Sequence, residues 1–177
     1  AGLQVHYTFE VNGVQFAIVD SNGASKPPAG HFTDAQLAWI GDICDADDPR
    51  PLVIATHHNV LPVGIPWLDK YMAVTNWQDF HQAILPAKRR IRGVFFGHVH
   101  QNIDVVRDGI LYASTLSSWV QFLSYPQLDK TTGDPLAEPG FSLVMVSAEQ
   151  TFIRRYRLPV PQIPAPIEDD DMTQPSR

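Results

Sequence analysis

The sequence predicts an α/β fold. Two short apolar runs, 52–55 and 93–96, have the length and composition of buried strands, and each is followed by histidines. Segments with helical periodicity, near 33–44 and 76–85, accompany these runs. Because open α/β sheets bind their ligands at the carboxyl ends of the strands, we expect the histidines to mark a functional site.

The second run ends in Gly97-His98-Val99-His100. In extended backbone, side chains two positions apart leave on the same face, so His98 and His100 are expected to point into the site together. Gly97 has no side chain, which allows a sharp turn and the close approach of a cofactor. Two imidazoles converging beside a glycine indicate a metal ion.

The first run ends in Thr56-His57-His58. Adjacent residues on a strand face opposite ways, so only one of the two histidines is expected at the same metal, and we favour His57. Imidazole is the commonest nitrogen ligand for Zn, Fe, Mn or Ni, and His57, His98 and His100 suffice chemically for one ion. The plainer alternative is that strand-end histidines hydrogen-bond to loop backbone.

These motifs carry a family resemblance. Thr56-His57-His58 followed by Pro62, with Gly97-His98-Val99-His100 further on, resembles the last two motifs of the calcineurin-like metallophosphoesterases. The wider pattern, over roughly residues 5 to 158, is similar to the bacterial class III 3',5'-cyclic-nucleotide phosphodiesterases. It includes Val19-Asp20-Ser21, Gln36-Leu37-Ala38-Trp39-Ile40, Pro66-Trp67-Leu68-Asp69 and Ser114-Thr115-Leu116-Ser117-Ser118-Trp119-Val120-Gln121-Phe122.

The resemblance implies a fold and a metal centre. Residues 1–158 would form the C-terminal half of a four-layer α/β/β/α metallophosphoesterase sandwich, and 159–177 a proline-rich acidic tail that we expect to be disordered. The complete domain would hold two divalent or trivalent ions (Fe, Mn or Zn). As the resemblance implies, His57 and His98 would bind one ion and His100 the other.

The family's N-terminal motifs are absent from their expected places. These motifs are Asp-x-His, Gly-Asp-x-x-Asp and Gly-Asn-His-Asp/Glu, and they include the main catalytic histidine. The catalytic residue is therefore unknown in this sequence. We expect a piece of a longer protein that binds one metal or none by itself, with weak catalysis or none.

Two segments imitate the absent motifs. Gly41-Asp42-Ile43-Cys44-Asp45 ends a helical pattern instead of following a strand. Asp79-Phe80-His81 lies in another helical pattern, where side chains at i and i+2 diverge and cannot chelate together. Neither is expected to bind a metal.

The implied activity is hydrolysis of a phosphodiester, with 3',5'-cyclic nucleotides as candidate substrates. Paired cations lower the pKa of a bridging water and neutralise charge on the phosphoryl oxygens during attack. His58 and Asn76 are weaker candidates for substrate contact. Two alternatives stay open, a non-catalytic binding or regulatory module and a glycerophosphodiesterase or phosphomonoesterase on the same scaffold.

Composition excludes some classes of function. The net charge is −6, and the basic cluster 88–92 is expected at a helix end, where it complements the helix dipole, so we expect no specific nucleic-acid binding. No apolar run has the length of a membrane helix. The single cysteine, Cys44, excludes an internal disulfide and fits a reducing compartment, so a cytoplasmic location is expected.

Local signals predict further elements. Asn12-Gly13 and Arg107-Asp108-Gly109 each indicate a hairpin, and segments 141–146 and 151–158 predict a third. Asp20, after the first hairpin, is assigned a loop-capping role in preference to a catalytic one.

Two helices are predicted with their caps. Thr33 is an N-cap with Gln36 in the capping-box position, and Asn76 caps the second helix, which runs through Leu85. His81 is placed on the partly exposed face of that helix.

The segment 59–76 is interpreted as a substrate-facing lid, as a cover for the core or as an oligomer contact. A second expectation concerns assembly. Half of a sheet would leave an exposed edge and an apolar face, which predicts a homo-oligomer or association with an N-terminal fragment.

Overall fold

A six-stranded sheet organises the computed structural model, which describes residues 6–23 and 27–159. Its order is β1-β2-β3-β4-β6-β5, in which β2, β3, β4 and β6 run parallel and β1 and β5 are antiparallel edges. The strands are β1 (Tyr7–Val11), β2 (Val14–Ile18), β3 (Leu52–Ala55), β4 (Ile91–Phe96), β5 (Asp104–Arg107) and β6 (Ile110–Ser114). The predicted α/β class is confirmed.

Helices cover one face of this sheet. They are α1 (Asp34–Asp45), α2 (Pro66–Tyr71) and α3 (Trp77–Ile84), which continues into a 3-10 turn at Leu85–Ala87. The core lies between them and the sheet, because Ile40 of α1 and Phe80 of α3 are fully buried in one cluster with Ile54 and Val94 of the strands. The capping box of Thr33 and Gln36 on α1 is confirmed.

The predicted hairpin turns are confirmed by their backbone. Asn12 and Gly13 have φ values of 49° and 78°, and Asp108 and Gly109 have 52° and 84°. Two consecutive positive φ values belong to the type I′ turns that join twisted antiparallel strands. Asp20 accepts a hydrogen bond from the Asn22 amide at 3.0 Å, which confirms its loop-capping role.

The expectations for the second helix need two corrections. His81 is 2% exposed, and not on an exposed face, because it hydrogen-bonds to Tyr112 and Asp108 of the β5–β6 hairpin. Asn76 occupies the N-cap position of α3 without a side-chain capping bond. Its amide instead donates to the Phe32 carbonyl at 2.9 Å and accepts from the Phe32 amide at 3.1 Å.

The second face of the sheet carries a hairpin of β9 (Gly140–Val146) and β10 (Thr151–Arg157). The third predicted hairpin is thus confirmed. Between the sheet and this hairpin runs an apolar groove of about 650 Å³, whose lining includes Phe16, Val53 and Phe95. A small sheet of β7 (Gln121–Leu123) and β8 (Thr132–Asp134) lies in the segment before β9. Of the predicted tail 159–177, all but Pro159 lies outside the described residues.

Segment 59–76 covers the core. Val60, Leu61, Ile65 and Leu68 are buried in the cluster between the helices and the sheet, which supports the second interpretation of this segment. Residues 63–65 also border a cavity, which is described below.

Arginines of the basic cluster 88–92 make hydrogen bonds within the fold. Arg90 donates to the carbonyls of Ile43 at 2.6 Å and Arg50 at 3.2 Å, and Arg92 donates to that of Ser147 at 3.2 Å. The cluster follows the 3-10 turn and leads into β4, and its Arg90 and Arg92 bind backbone carbonyls of neighbouring segments. Among the described residues, no helix is long and apolar enough to span a membrane.

Candidate functional site

The carboxyl ends of β3 and β4 bring His57 and His98 together. These strands are adjacent and parallel, and the Gly97 amide donates to the His57 carbonyl at 3.0 Å. His57 Nε2 lies 3.0 Å from His98 Nδ1. The structure therefore brings two of the three predicted metal ligands together, with their rings at an interplanar angle of 65°.

The backbone around His98 differs from the extended conformation that we expected. β4 ends at Phe96, and His98 and His100 have φ values of 65° and 50°. This left-handed turn buries Val99 completely while both flanking histidines stay half-buried. Gly97 does not have a positive φ, and a Cβ added there would lie 3.8 Å from the His57 carbonyl oxygen, an ordinary contact. The sharp turn that we expected at the glycine thus lies at the two histidines.

The tautomer of His98 follows from its partners. Its Nε2 lies 2.8 Å from the Pro28 carbonyl oxygen, which can only accept a hydrogen bond. His98 Nε2 therefore carries the proton, and Nδ1 presents its lone pair to His57. This is the usual arrangement of a metal-binding histidine, in which the other ring nitrogen donates to a backbone carbonyl.

The His100 ring is also fixed by a hydrogen bond to a backbone carbonyl, but it lies outside the group of rings formed by His57 and His98. Its Nδ1 donates to the Val120 carbonyl at 2.7 Å, which leaves Nε2 with a lone pair. The ring stacks on Phe122, with centroids 4.2 Å apart. Among residues 6–23 and 27–159, no group of three or more His, Cys, Asp or Glu side chains is arranged to hold a metal ion. Ligation by His57, His98 and His100 together thus stays a prediction.

His58 belongs to the same cluster, contrary to the expectation that it faces away from His57. The ring centroid of His58 lies 5.0 Å from that of His57 and 4.4 Å from that of His98. Both residues follow the last residue of β3, Ala55, so the alternation of an extended strand no longer applies to them.

A buried serine fixes the His58 ring. Ser21 Oγ accepts from the His58 amide at 3.2 Å and lies 2.7 Å from Nδ1, so its hydroxyl proton is free to donate to that nitrogen. Gly30 closes the other side, where an added Cβ would lie only 2.7 Å from His58 Cγ. His58 is 4% exposed, and the Asn76 amide is occupied by Phe32. Substrate contact by His58 and Asn76 stays a prediction.

Burial keeps these imidazoles neutral at pH 7. Desolvation, followed by repulsion from neighbouring histidines, lowers the pKa of His58 and of His98 to about 4. Burial also lowers the pKa of His57 and of His100. Since a metal ion binds the neutral imidazole, protons do not compete for these nitrogens near neutrality.

The donor set fits a transition-metal ion. Imidazole nitrogens suit Zn, Fe, Mn or Ni, and nitrogens 3.0 Å apart can both bind one ion at about 2.1 Å each. His57 would then carry its proton on Nδ1.

Sequence reasoning missed the groups that orient the histidines. Ser21 was named only as part of a segment that resembles the family, although its position after β2 offered the same strand-end signal as His57. Pro28 and Val120 act through backbone carbonyls, which have no signature in the sequence.

Acidification from pH 7 to pH 5 is expected to destabilise the metal-free chain. Histidine in an unfolded chain titrates near 6.5, whereas folded His58 titrates near 4, so the unfolded state binds more protons between these values and stability falls as the pH falls. His58 alone accounts for a loss of about 2 kcal/mol by pH 5. Urea unfolding at pH 7, 6 and 5 measures this loss, and the variant His58→Gln should show a flatter profile. An unfolding midpoint that is constant over this range would contradict the prediction.

The chain is similar in sequence to proteins of known name. A probable cyclic nucleotide phosphodiesterase from Psychrobacter arcticus is 33% identical over 127 residues, which are 72% of this chain and 43% of that protein. The 3',5'-cyclic adenosine monophosphate phosphodiesterase CpdA of Escherichia coli K12 is 30% identical over 125 residues, 70% of this chain and 43% of its own. No protein-family model matches the chain.

A solved structure supports the fold. The crystal structure of a dimetal phosphatase from Danio rerio superposes with a TM-score of 0.52 and 15% sequence identity, over 63% of this chain and 48% of that chain. At this identity the likeness concerns the fold alone. The chain spans less than half the length of the curated relatives it matches. The comparisons confirm the resemblance: this chain is a relative of the calcineurin-like metallophosphoesterases and is similar to part of the bacterial cyclic-nucleotide phosphodiesterases.

Proposed function

We propose that this chain is part of the catalytic domain of a metal-dependent phosphodiesterase. The observation that carries the proposal is the pair of imidazole nitrogens, His57 Nε2 and His98 Nδ1, held 3.0 Å apart at adjacent strand ends. A bound metal ion would activate water and neutralise charge on the phosphoryl oxygens. His57 and His98 would hold this ion, and Pro28 would keep His98 in the required tautomer.

His100 is proposed as a ligand of the second ion. Its Nδ1 is occupied by the Val120 carbonyl, so Nε2 is the nitrogen available for a metal. The family's carboxylates, its asparagine and its catalytic histidine would come from a part of the protein outside this chain. The match to 43% of each of the two curated relatives described above supports this arrangement. The chain would then be the C-terminal half of the four-layer α/β/β/α sandwich.

By itself the chain would bind one ion or none and catalyse weakly. Neutral histidines leave the charge of a dication uncompensated, which makes a site of imidazoles alone weak. We therefore also propose association with an N-terminal segment or with a second copy. The apolar groove on the second sheet face supports this, because Phe16, Val53 and Phe95 line it without filling it.

The proposed substrate is a small phosphodiester, with 3',5'-cyclic nucleotides first among the candidates because the curated relatives bear that name. The test is a substrate profile of the complete gene product loaded with Mn²⁺. Cyclic AMP, glycerophosphocholine and p-nitrophenyl phosphate represent a cyclic diester, a linear diester and a monoester.

We expect hydrolysis of cyclic AMP to exceed that of the other two, and His98→Ala to abolish it. The variant His6→Ala is the control, because it also removes an imidazole. The His6 ring packs on Trp39 and is not one of the proposed ligands. Preference for glycerophosphocholine or for the monoester would support the corresponding alternative on this scaffold. A metal-loaded protein that hydrolyses none of them would instead indicate a non-catalytic module.

A further inference from the structure

A second cavity borders His100. It is open to the surface and has a volume of about 460 Å³ between the loop 63–65, the segment 100–103 after β4, the segment around β7 and residues 134–138. This volume lies in the range of sites for small organic molecules. His100 lines this cavity, and in the sequence it lies two residues after His98 of the strand-end cluster.

Apolar and flat groups form much of the cavity wall. Ile65 and Phe122 are nearly buried, and Leu116 is half-buried beside them. The Phe122 ring stacks on that of His100 with an interplanar angle of 8°, and Tyr125 adds a ring that is 56% exposed. Such walls suit a planar heterocycle better than a flexible polar chain.

The charged side chains that line the cavity restrict the kind of ligand that it can bind. Asp134 and Glu138 contribute two carboxylates against one guanidinium, that of Arg157. Asp134 already accepts a hydrogen bond from the Leu136 amide at 3.1 Å, whereas Glu138 makes no hydrogen bond or ion pair within the described part of the chain. A surplus carboxylate disfavours an anionic group and favours an N–H donor.

The Asn102 amide complements this carboxylate. Its Oδ1 accepts from the Leu116 amide at 3.2 Å, and its Nδ2 has no partner among the described residues and can donate to a ring nitrogen. A heterocycle that carries an amino group beside a ring nitrogen offers both a donor for the Glu138 carboxylate and an acceptor for Asn102 Nδ2.

We infer that this cavity binds the amino-bearing heterocyclic base of the phosphodiester substrate, as in an adenine or cytosine nucleotide, with Glu138 accepting from the amino group. The inference rests on the proposed function, since that function places the phosphate at the histidines, and His100, one of the proposed ligands, lines this cavity. Glu138 and Asn102 would determine specificity and take no part in the chemistry.

The test uses free nucleosides, which carry no phosphate and need no metal. Binding of adenosine, uridine and choline to the metal-free chain is followed by NMR chemical-shift titration. Adenosine should bind saturably and more tightly than uridine, which lacks the exocyclic amino group. Glu138→Gln should weaken adenosine binding about fivefold, because a charged acceptor is replaced by a neutral one. The matched control Glu149→Gln, in the exposed β9–β10 turn, should change nothing.

Three results would overturn the inference: equal binding of adenosine and uridine, no effect of Glu138→Gln, or binding of choline alone, which would indicate a cationic head group. The variant His57→Ala separates this inference from the proposed function. It should lose metal binding and keep adenosine binding. Adenosine binding in a wild-type chain that binds no metal would count against the metal site and leave the base site standing.

Discussion

Replacing His98 with alanine is expected to lower the affinity of this chain for Mn²⁺ or Zn²⁺ by more than about 100-fold. The substitution removes Nδ1, one of the two nitrogens that face each other at 3.0 Å, and it frees the Pro28 carbonyl. Isothermal titration of the metal-free chain measures the affinity. Elemental mass spectrometry after metal loading and desalting gives the stoichiometry, which should not exceed one ion per chain.

The control for this prediction is His6→Ala, which removes an imidazole that packs on Trp39. It should bind metal like the wild type. Unchanged affinity in His98→Ala would remove the basis of the proposed metal centre. Two ions per wild-type chain, both lost in His98→Ala, would mean that this chain or a second copy supplies the missing ligands.

The substitution His81→Ala should lower the free energy of unfolding by about 3 kcal/mol. His81 is 2% exposed, and its Nε2 donates to Asp108 at 2.8 Å while its Nδ1 accepts from the Tyr112 hydroxyl at 2.7 Å. Alanine would leave a cavity and a buried hydroxyl without its partner. Urea unfolding monitored by circular dichroism measures the loss.

Two variants control for this effect. Gln82→Ala replaces the exposed neighbour on α3 and should stay within about 0.5 kcal/mol of the wild type. Tyr112→Phe should cost about 1 kcal/mol, and the double variant should lose less than the sum of both single losses, because the two residues share one hydrogen bond. A loss below 0.5 kcal/mol in His81→Ala would show that this network does not stabilise the fold.

Local chemistry explains which elements were predictable. Asn12-Gly13 and the Thr33–Gln36 capping box act within a few residues, so the sequence pattern determines them directly. His81 depends on a hairpin more than twenty residues further along the chain, which no helical periodicity can reveal. Asn76 likewise serves the backbone of Phe32, which is distant in sequence.

The candidate site also has features that the sequence predicts and features that it does not. Its position was predictable, because parallel strands deliver their following residues to one edge of a sheet, and His57 and His98 meet there. The directions of the side chains were not predictable, because both strands end before the histidines and the left-handed turn at His98 and His100 replaces the alternation of a strand.

The β9–β10 hairpin is attached to the central sheet in large part by polar contacts. Thr151 bonds to the Arg92 carbonyl and Arg155 pairs with Asp104, while the groove beneath the hairpin stays unfilled. Lifting the hairpin would break these bonds without breaking any ladder of the six-stranded sheet. We therefore expect stability to be unequal within this one chain, with the hairpin opening as a local unit while the strands that carry His57 and His98 stay paired.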